Sequence, residues 1–198
     1  VLKFTYNDRG QRIKKEYNNN GTPFYTYYVR DVSGNVMGIY GTQNYNGSYQ
    51  TPLQETPFYG ASRLGVLDRI SSLGYSQEIY QYQLTDHLGN VRGVIRKDNN
   101  TIYALTAKTD YYPFGMPMPN KHVQGDYRYA YQGQEKDPET GMEAFELRLW
   151  DGRIGRWLTV DPYGQYSSPY LGMGNNPISM IDPDGGATED PPDGYDTT

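Results

Sequence analysis

The chain has 198 residues and a formal net charge of -5, so it could form one ordinary domain or part of a larger protein, and it lacks the basic excess that attracts nucleic acid. With no Cys and two His, it excludes disulfides and thiolate zinc sites and disfavours a histidine-rich metal site, and we expect no cofactor. Its 22 Tyr, 23 Gly and 13 Pro are typical of short strands and tight turns, and no apolar run is long enough for a membrane-spanning helix.

A short turn phrase recurs along the first half of the chain. Asp31–Val36 and Asp86–Val91 share their Asp, Gly, Asn and final Val, and Asn7–Arg12 is a looser copy. Each copy follows a Tyr-rich segment with strand character. Asp or Asn at the start of a turn can accept hydrogen bonds from backbone N–H groups, and the Gly three residues later supplies a positive φ. We therefore predict a β-hairpin at each copy.

Alternation of side chains supports the flanking strands. Tyr80, Tyr82 and Leu84 would share one face of a strand. A turn at Lys97–Asn100 would lead into a further strand at Thr101–Leu105. The one helix candidate, Gly141–Leu149, also alternates as a strand does. The sequence therefore predicts an all-β fold built from repeated β-hairpins.

Residues 41–58 interrupt the spacing of the turn phrases. This segment is polar and contains Pro52 and Pro57, which are unfavourable inside a paired strand. We predict an exposed loop insertion here.

The ordered motifs of the chain resemble those of bacterial Rhs and YD-repeat proteins. Tyr6–Ile13 is similar to the YD repeat itself. The later phrases resemble, in the family's order, those of the Rhs-repeat-associated core: Tyr59–Gly65, Thr85–Arg92, Tyr112–Gly115, Gln134–Gly141, Arg148–Asp151, Gly155–Trp157, Asp161–Pro162, Asn176–Pro177 and Asp182–Gly185.

The resemblance implies a β-sheet that spirals into a hollow shell. Residues 1–110 would be YD-repeat-like hairpins, 111–186 the core that plugs the shell, and 187–198 an acidic disordered tail. Shells of this family, which includes polymorphic toxins, enclose a polypeptide. The expected partners are therefore the remaining shell, secretion or surface proteins, and an encapsulated polypeptide. The expected location is secreted or at the bacterial cell surface.

The resemblance also implies that the core cuts its own chain in the manner of an aspartyl protease. Carried over to this sequence, the catalytic residues are Asp151 and Asp161 with Arg148, and the bond cut is Gly186–Ala187. Such a reaction needs one carboxylate to activate water and a second, protonated one to assist the departing nitrogen. The two aspartates also precede Gly152 and Pro162, so both can equally be ordinary turn residues.

Three functions stay open. The first is structural, the closing of a shell that encloses, carries or presents an attached polypeptide. The second is single-turnover self-cleavage, although Gly186 stands where many family members have Leu. The third is surface adhesion through Tyr-rich faces.

Overall fold

The computed structural model describes residues 1–45, 47–72, 75–97, 103–123 and 125–192, and nearly all of its regular structure is β-strand. The strands are β1 (Leu2–Tyr6), β2 (Arg12–Asn19), β3 (Thr22–Arg30), β4 (Val36–Gly41), β5 (Gln43–Tyr45), β6 (Ser48–Gln50), β7 (Leu53–Tyr59), β8 (Arg63–Ser72), β9 (Tyr75–Thr85), β10 (Val91–Lys97), β11 (Tyr103–Tyr111), β12 (Pro117–Val123), β13 (Glu135–Asp137), β14 (Met142–Ala144), β15 (Leu149–Asp151) and β16 (Arg156–Trp157).

The predicted all-β class is confirmed. Two single 3-10 turns, Tyr131–Gly133 and Met173–Asn175, are the helical elements of the described residues, and neither could cross a membrane. The helix candidate Gly141–Leu149 contains β14 and the first residue of β15. The predicted turn at Lys97–Asn100 and the first residues of Thr101–Leu105 extend outside the described residues.

The chain divides into two compact units. The first unit comprises residues 1–82 and 96–104, and the second comprises residues 83–95 and 105–198. In the first unit, antiparallel strands follow in the order β1-β2-β3-β4-β7-β8-β9. The second unit contains the antiparallel pair β11-β12 and a small four-stranded sheet in the order β13-β14-β15-β16.

The three copies of the turn phrase form the turns that the sequence predicts. In the copy at Asp31, the N–H of Gly34 donates to the carbonyl of Asp31 at 3.1 Å, and Gly34 has a φ of +94°. The Asp31 carboxylate accepts from the N–H groups of Ser33 and Asn35, both at 2.9 Å. The turns at Asn7 and Asp86 repeat these bonds. The phrase therefore joins β1 to β2, β3 to β4 and β9 to β10.

A further turn of the same backbone form joins β11 to β12. The N–H of Gly115 donates to the carbonyl of Tyr112 at 2.8 Å, and the N–H of Tyr112 donates to the carbonyl of Met116 at 2.8 Å. The sequence does not reveal this copy as a hairpin because its first residue, Tyr112, cannot cap the turn as Asp does.

Neighbouring turns of the first unit contact each other directly. Arg9 donates from Nη1 to the carbonyl of Val32 at 2.7 Å, which links the first turn to the second. A Cβ built on Gly34 would lie 2.2 Å from Nε2 of Gln11. Gly34 is thus required by its positive φ, and a Cβ there would also displace the end of the Gln11 side chain.

The structure differs from the loop predicted at residues 41–58. β5 and β6 form a two-stranded hairpin, but β7 pairs with β4 on one side and β8 on the other. Pro57 is buried opposite Val66 of β8. On the other side of β7, Leu53 and Glu55 pair with β4, and Pro57 lies beyond these two residues. Pro57 can therefore be accommodated there although proline has no backbone N–H to donate.

The second unit has a compact aromatic core. Trp157 makes edge-on contacts with Trp150 and Phe145, with ring centroids 4.9 and 4.8 Å apart. The indole N–H of Trp150 donates to the carbonyl of Phe114 at 2.9 Å, which satisfies a polar group in the core. The buried members of this core are Tyr131, Phe145, Trp150, Trp157 and Met173. This packing fixes the short strands and long connections that carry the candidate site.

Candidate functional site

Arg148 is a buried cation next to the aromatic core. It immediately precedes β15, is 4% exposed, and its guanidinium carbon lies 4.2 Å from the ring centroid of Trp157. Its Nη1 lies 3.7 Å from Oδ1 of Asp161, and its Nη2 lies 3.4 Å from Oδ2 of Asp182. A buried charge is tolerated when opposite charges and hydrogen bonds compensate it, so Arg148 ties two distant turns to one point.

Asp161 begins a turn whose side-chain hydrogen bonds resemble those of the hairpin turns. Its carboxylate accepts from the N–H of Tyr163 at 2.9 Å and from the N–H of Gln165 at 3.1 Å. Gly164 has a φ of +62° and occupies the place of the glycine in the repeated phrase. Burial acts to raise the pKa of Asp161, but the two N–H groups and Arg148 outweigh it and hold the pKa below its usual value. Asp161 is therefore ionised near neutral pH.

Asp182 begins a different turn, in which the carboxylate accepts from the N–H three residues ahead, and it is completely buried. Its Oδ1 accepts from the N–H of Gly185 at 2.7 Å, and its own N–H donates to Oε1 of Gln132 at 2.9 Å. Burial raises the pKa of Asp182 to about 6, against the opposing effects of the Gly185 N–H and Arg148. The cluster thus contains one carboxyl with a lowered pKa and one with a raised pKa.

Asp182 has no catalytic role among the residues that the family resemblance implies, because it lies in the phrase before the bond expected to be cut. A signal was present, because Asp161 and Asp182 are both followed by Pro and both precede a Gly by three residues. That repetition could have identified the two aspartates as a pair.

The carbonyl of Gly186 faces this cluster. It accepts from Nη2 of Arg148 at 3.5 Å and from Nε2 of Gln165, while Nε of Arg148 donates to the preceding carbonyl, that of Gly185. Gly186 is buried, whereas Ala187 is exposed. The predicted bond therefore lies where the chain leaves a polar pocket.

The residues beyond Gly186 are also held in place. The N–H of Thr188 donates to Oε1 of Gln165 at 2.9 Å. Ile181 and Glu189 exchange two backbone hydrogen bonds, each 2.9 Å long. This part of the predicted disordered tail has defined backbone partners, while residues 193–198 lie outside the described residues.

The surroundings of Gly186 fit a glycine. A Cβ at this position would lie 2.6 Å from Cε2 of Tyr163 and 2.8 Å from Cδ1 of Leu147. These two side chains occupy space that a leucine at 186 would need, so the departure from the family pattern has a local counterpart in the structure.

Asp151 belongs to a different group. Its Oδ1 accepts from the N–H of Arg153 at 3.0 Å and from Nε at 2.8 Å, and its Oδ2 accepts from Nη2 at 2.7 Å. These bonds to Arg153 lower the pKa of Asp151. Among the contacts of the described residues, Arg148, Asp161 and Gly186 come together, and Asp151 is bound instead by Arg153.

The two histidines lie in hydrogen bonds away from this cluster. Nε2 of His87 lies 3.2 Å from the carbonyl of Ile178, and Nδ1 of His122 lies 2.9 Å from Oγ1 of Thr109. Within the described ranges, no group of three or more His, Asp or Glu residues is arranged to hold a metal ion.

Comparisons with known proteins relate the chain to short parts of a salivary gland surface protein and of toxin subunits. It is 36% identical over 195 residues to salivary gland surface protein 1 of Aedes aegypti, covering 93% of the chain and 5% of that protein. It is 30% identical over 119 residues to toxin subunit YenC1 of Yersinia entomophaga, covering 57% of the chain and 12% of the subunit. The chain thus spans only a small part of the length of these relatives.

A crystal structure of TcdB2-TccC3-Cdc42 has the same fold over 93% of the chain and 10% of the matched chain, with a TM-score of 0.52 and 20% identity. No protein-family model matches the chain. These relatives support the Rhs-type family that the sequence motifs indicate. They do not distinguish the C-terminal core from other parts of such proteins.

Proposed function

We propose that this chain is the terminal segment and plug of an Rhs-type β-shell that encloses, carries or presents an attached polypeptide. The observation that carries the proposal is the change from paired hairpins to the aromatic core of the second unit, where residues 181–189 are hydrogen-bonded. Such a core can end a sheet, because its short strands offer little edge for further pairing. The similarity to a toxin subunit supports the same class of protein.

We further propose that the protein acts outside the cell that makes it, or on that cell's surface. Its partners would be the rest of the shell and the enclosed polypeptide. The near balance of charge, with 18 basic and 23 acidic residues, favours protein partners over nucleic acid.

The experiment is to follow the native product in the source cells with an antibody against residues 163–192. We expect the antibody to detect an assembly far larger than the chain's 22.6 kDa, containing a polypeptide that resists added protease until denaturant opens the shell. A 22.6-kDa product alone on the cell surface, with no protected polypeptide, would overturn the shell and leave adhesion as the better explanation.

We propose self-cleavage as a second function, because a buried cation, two carboxyl groups of opposite pKa shift and the Gly186 carbonyl meet in one cluster. Asp161 would take a proton from water as its oxygen adds to the carbonyl carbon of Gly186. Protonated Asp182 would give its proton to the nitrogen of Ala187 as the C–N bond breaks. One water is consumed, and a new carboxyl group and a new amine are formed.

The intact mass of the purified chain tests this second function. We expect the wild type to lose residues 187–198 and both Asp161→Asn and Asp182→Asn to keep them. Asp151→Asn is the matched control, since Asp151 is bound by Arg153, and it should be cut as the wild type is. If Asp151→Asn stays intact while Asp182→Asn is cut, the carboxyl pair is Asp151 and Asp161. An intact wild type would overturn self-cleavage.

A further inference from the structure

Gln165 occupies the fifth position of a turn phrase, and its side chain differs there from those in the hairpin turns. In the turns at Asp31 and Asp86, the fifth residue is Asn, whose Nδ2 donates back to the first residue's Oδ2 at 3.0 Å. Gln165 makes the equivalent contact with Oδ2 of Asp161 at 3.3 Å. Its side chain is one methylene longer, so the same amide also reaches outside its turn.

The amide of Gln165 contacts the chain on both sides of the Gly186–Ala187 bond. Nε2 donates to the carbonyl oxygen of Gly186, and Oε1 accepts from the N–H of Thr188 at 2.9 Å. A backbone N–H can only donate, so Thr188 requires the oxygen of the amide. The nitrogen is then necessarily the atom that meets Gly186 and Asp161, both of which offer acceptors.

We propose that Gln165 is a catalytic residue of the self-cleavage reaction, and the inference rests on that second proposed function. As water adds to the carbonyl carbon of Gly186, the carbonyl oxygen gains negative charge. Nε2 of Gln165 already points at this oxygen and stabilises the charge without rearrangement. Gln165 neither takes nor releases a proton, so the proton transfers remain those of Asp161 and Asp182.

The other half of the amide positions the departing segment. The bond from Thr188 to Oε1 fixes the chain two residues beyond Gly186, and Ile181 holds the following residue, Glu189. Both sides of the cleaved bond are thereby fixed relative to Asp161. Holding the reacting groups in place removes part of the entropic barrier to the reaction.

Gln134 provides a matched control. Its Nε2 donates to the carbonyl of Pro183 at 3.0 Å, so it is also a glutamine bound to the segment before the cut. It differs from Gln165 in that it contacts a carbonyl that does not react. A loss of general support for this segment would affect both glutamine variants, whereas a loss of charge stabilisation would affect Gln165 alone.

The test follows release of the peptide 187–198 by mass spectrometry after uncut full-length chain, recovered unfolded in urea from inclusion bodies, is diluted into refolding buffer. We compare the wild type with Gln165→Ala, Gln165→Glu and Gln134→Ala. Removing one such donor typically slows a reaction by about 100-fold or more, and we expect that loss for Gln165→Ala at pH 7. We expect Gln134→Ala to stay within about twofold of the wild type, since it leaves every donor to Gly186 in place.

Gln165→Glu distinguishes stabilisation of charge on the Gly186 carbonyl from general packing of this segment, because it preserves the size of the side chain. Ionised Glu cannot donate to the Gly186 carbonyl, but protonated Glu can. The ratio of the variant's rate to the wild-type rate should therefore rise at least tenfold between pH 7 and about pH 4.5, near the ordinary pKa of Glu. The same ratio for Gln134→Ala should not change with pH.

The outcomes are distinct. Slow Gln165→Ala together with acid rescue of Gln165→Glu supports the proposal, and if Gln165→Ala fails to refold, the acid rescue alone decides. Cutting of Gln165→Ala at the wild-type rate, or a Gln165→Glu ratio that does not change with pH, overturns the role of Gln165 and leaves self-cleavage standing. An uncut wild type overturns both and leaves the proposed plug unaffected.

Discussion

The turn at Asp31 in the first unit and the turn at Asp161 in the second share one pattern of side-chain hydrogen bonds in different surroundings. In each, the leading carboxylate accepts from the N–H groups two and four residues ahead. Asp31 forms these bonds at the surface, whereas Asp161 is 6% exposed and lies beside Arg148. One turn sequence can therefore serve as a cap or as part of a charged cluster, depending on what is packed against it.

The pKa of Asp182 is shifted in the opposite direction from the pKa of Asp31. Hydrogen bonds from Asn35 lower the pKa of Asp31, while burial raises the pKa of Asp182. Both residues begin turns that a positive-φ glycine closes. The chemistry of these turns is therefore determined by burial and neighbouring charge, and the turn sequence alone does not specify it.

The largest effect should come from removing the cation of the buried cluster. Arg148→Met leaves Asp161 and Asp182 without their shared partner, and breaking such a buried pair costs about 3–5 kcal/mol of unfolding free energy. Urea denaturation followed by tryptophan fluorescence measures the change in the second unit. Arg153→Met removes a cation that is 61% exposed and leaves Asp151 its bond from the Arg153 N–H, so it should cost clearly less, and equal losses in the two variants would contradict the buried-cluster interpretation.

A smaller effect should appear in the dependence of stability on pH. Because the pKa of Asp182 is raised to about 6 in the folded chain, the folded state binds a proton that the unfolded state has lost between about pH 4 and 6. The contribution of Asp182 is thus fully present below pH 4 and is lost as the pH rises through 6. Integrated over this window, it amounts to about 2–3 kcal/mol.

Denaturation of the wild type and Asp182→Asn from pH 3.5 to 7.5 checks this sign. The stability advantage of the wild type over Asp182→Asn should shrink as the pH rises. The unfolding free energy of Asp182→Asn should itself keep falling as the pH rises towards 7. The reason is that burial also raises the pKa of Glu143, to about 7. An advantage that grows with pH would mean that ionised Asp182 is the favoured form.

Truncating the leading aspartate tests the two turns directly. Asp161→Ala removes bonds to two N–H groups and one partner of Arg148, and we expect it to cost about 2 kcal/mol of unfolding free energy. Asp31→Ala removes the equivalent bonds from N–H groups at a solvated site, where water can replace them. The unfolding free energy that this variant loses should therefore be clearly smaller. Thermal denaturation of both variants under one buffer gives the comparison, and a larger loss for Asp31→Ala would contradict it.

The smallest effect concerns the glycines of the first unit. Gly34→Ala and Gly21→Ala both place a Cβ at a positive φ, which costs about 1–2 kcal/mol. A Cβ at 34 would also displace the side chain of Gln11, whereas a Cβ at 21 meets nothing within 4 Å. Chemical denaturation should rank Gly34→Ala as the less stable variant, and equal stability would show that Gln11 moves aside freely.

Much of the fold could be predicted from local sequence because its turns are local. The phrase at Asp31 contains the residues that make its hydrogen bonds, so no distant partner is needed to recognise it. The strand β7 was missed for the opposite reason, since Pro52 and Pro57 disfavour a strand locally and pairing with β8 overrides them.

The candidate site could be predicted only in part because its contacts are long-range. Arg148 and Asp161 follow from the family motif, but the choice between Asp151 and Asp182 as a partner depends on how Arg148 packs over Trp157. Gln165 has no sequence signal of its own. Its contacts depend on the return of the chain 21 residues later at Gly186.

The contact between Gln11 and Gly34 limits how hairpins can be exchanged. A designer who transplanted the Asp31 hairpin beside a different neighbour would retain its strands, its turn and the positive φ of Gly34, yet would lose the Gln11 side chain packed against Gly34 and the Arg9–Val32 bond. Gly89, in the third copy, has no atom closer than 3.8 Å to a built Cβ and carries no such dependence. The first two hairpins are therefore best regarded as a matched pair, to be moved or recombined together.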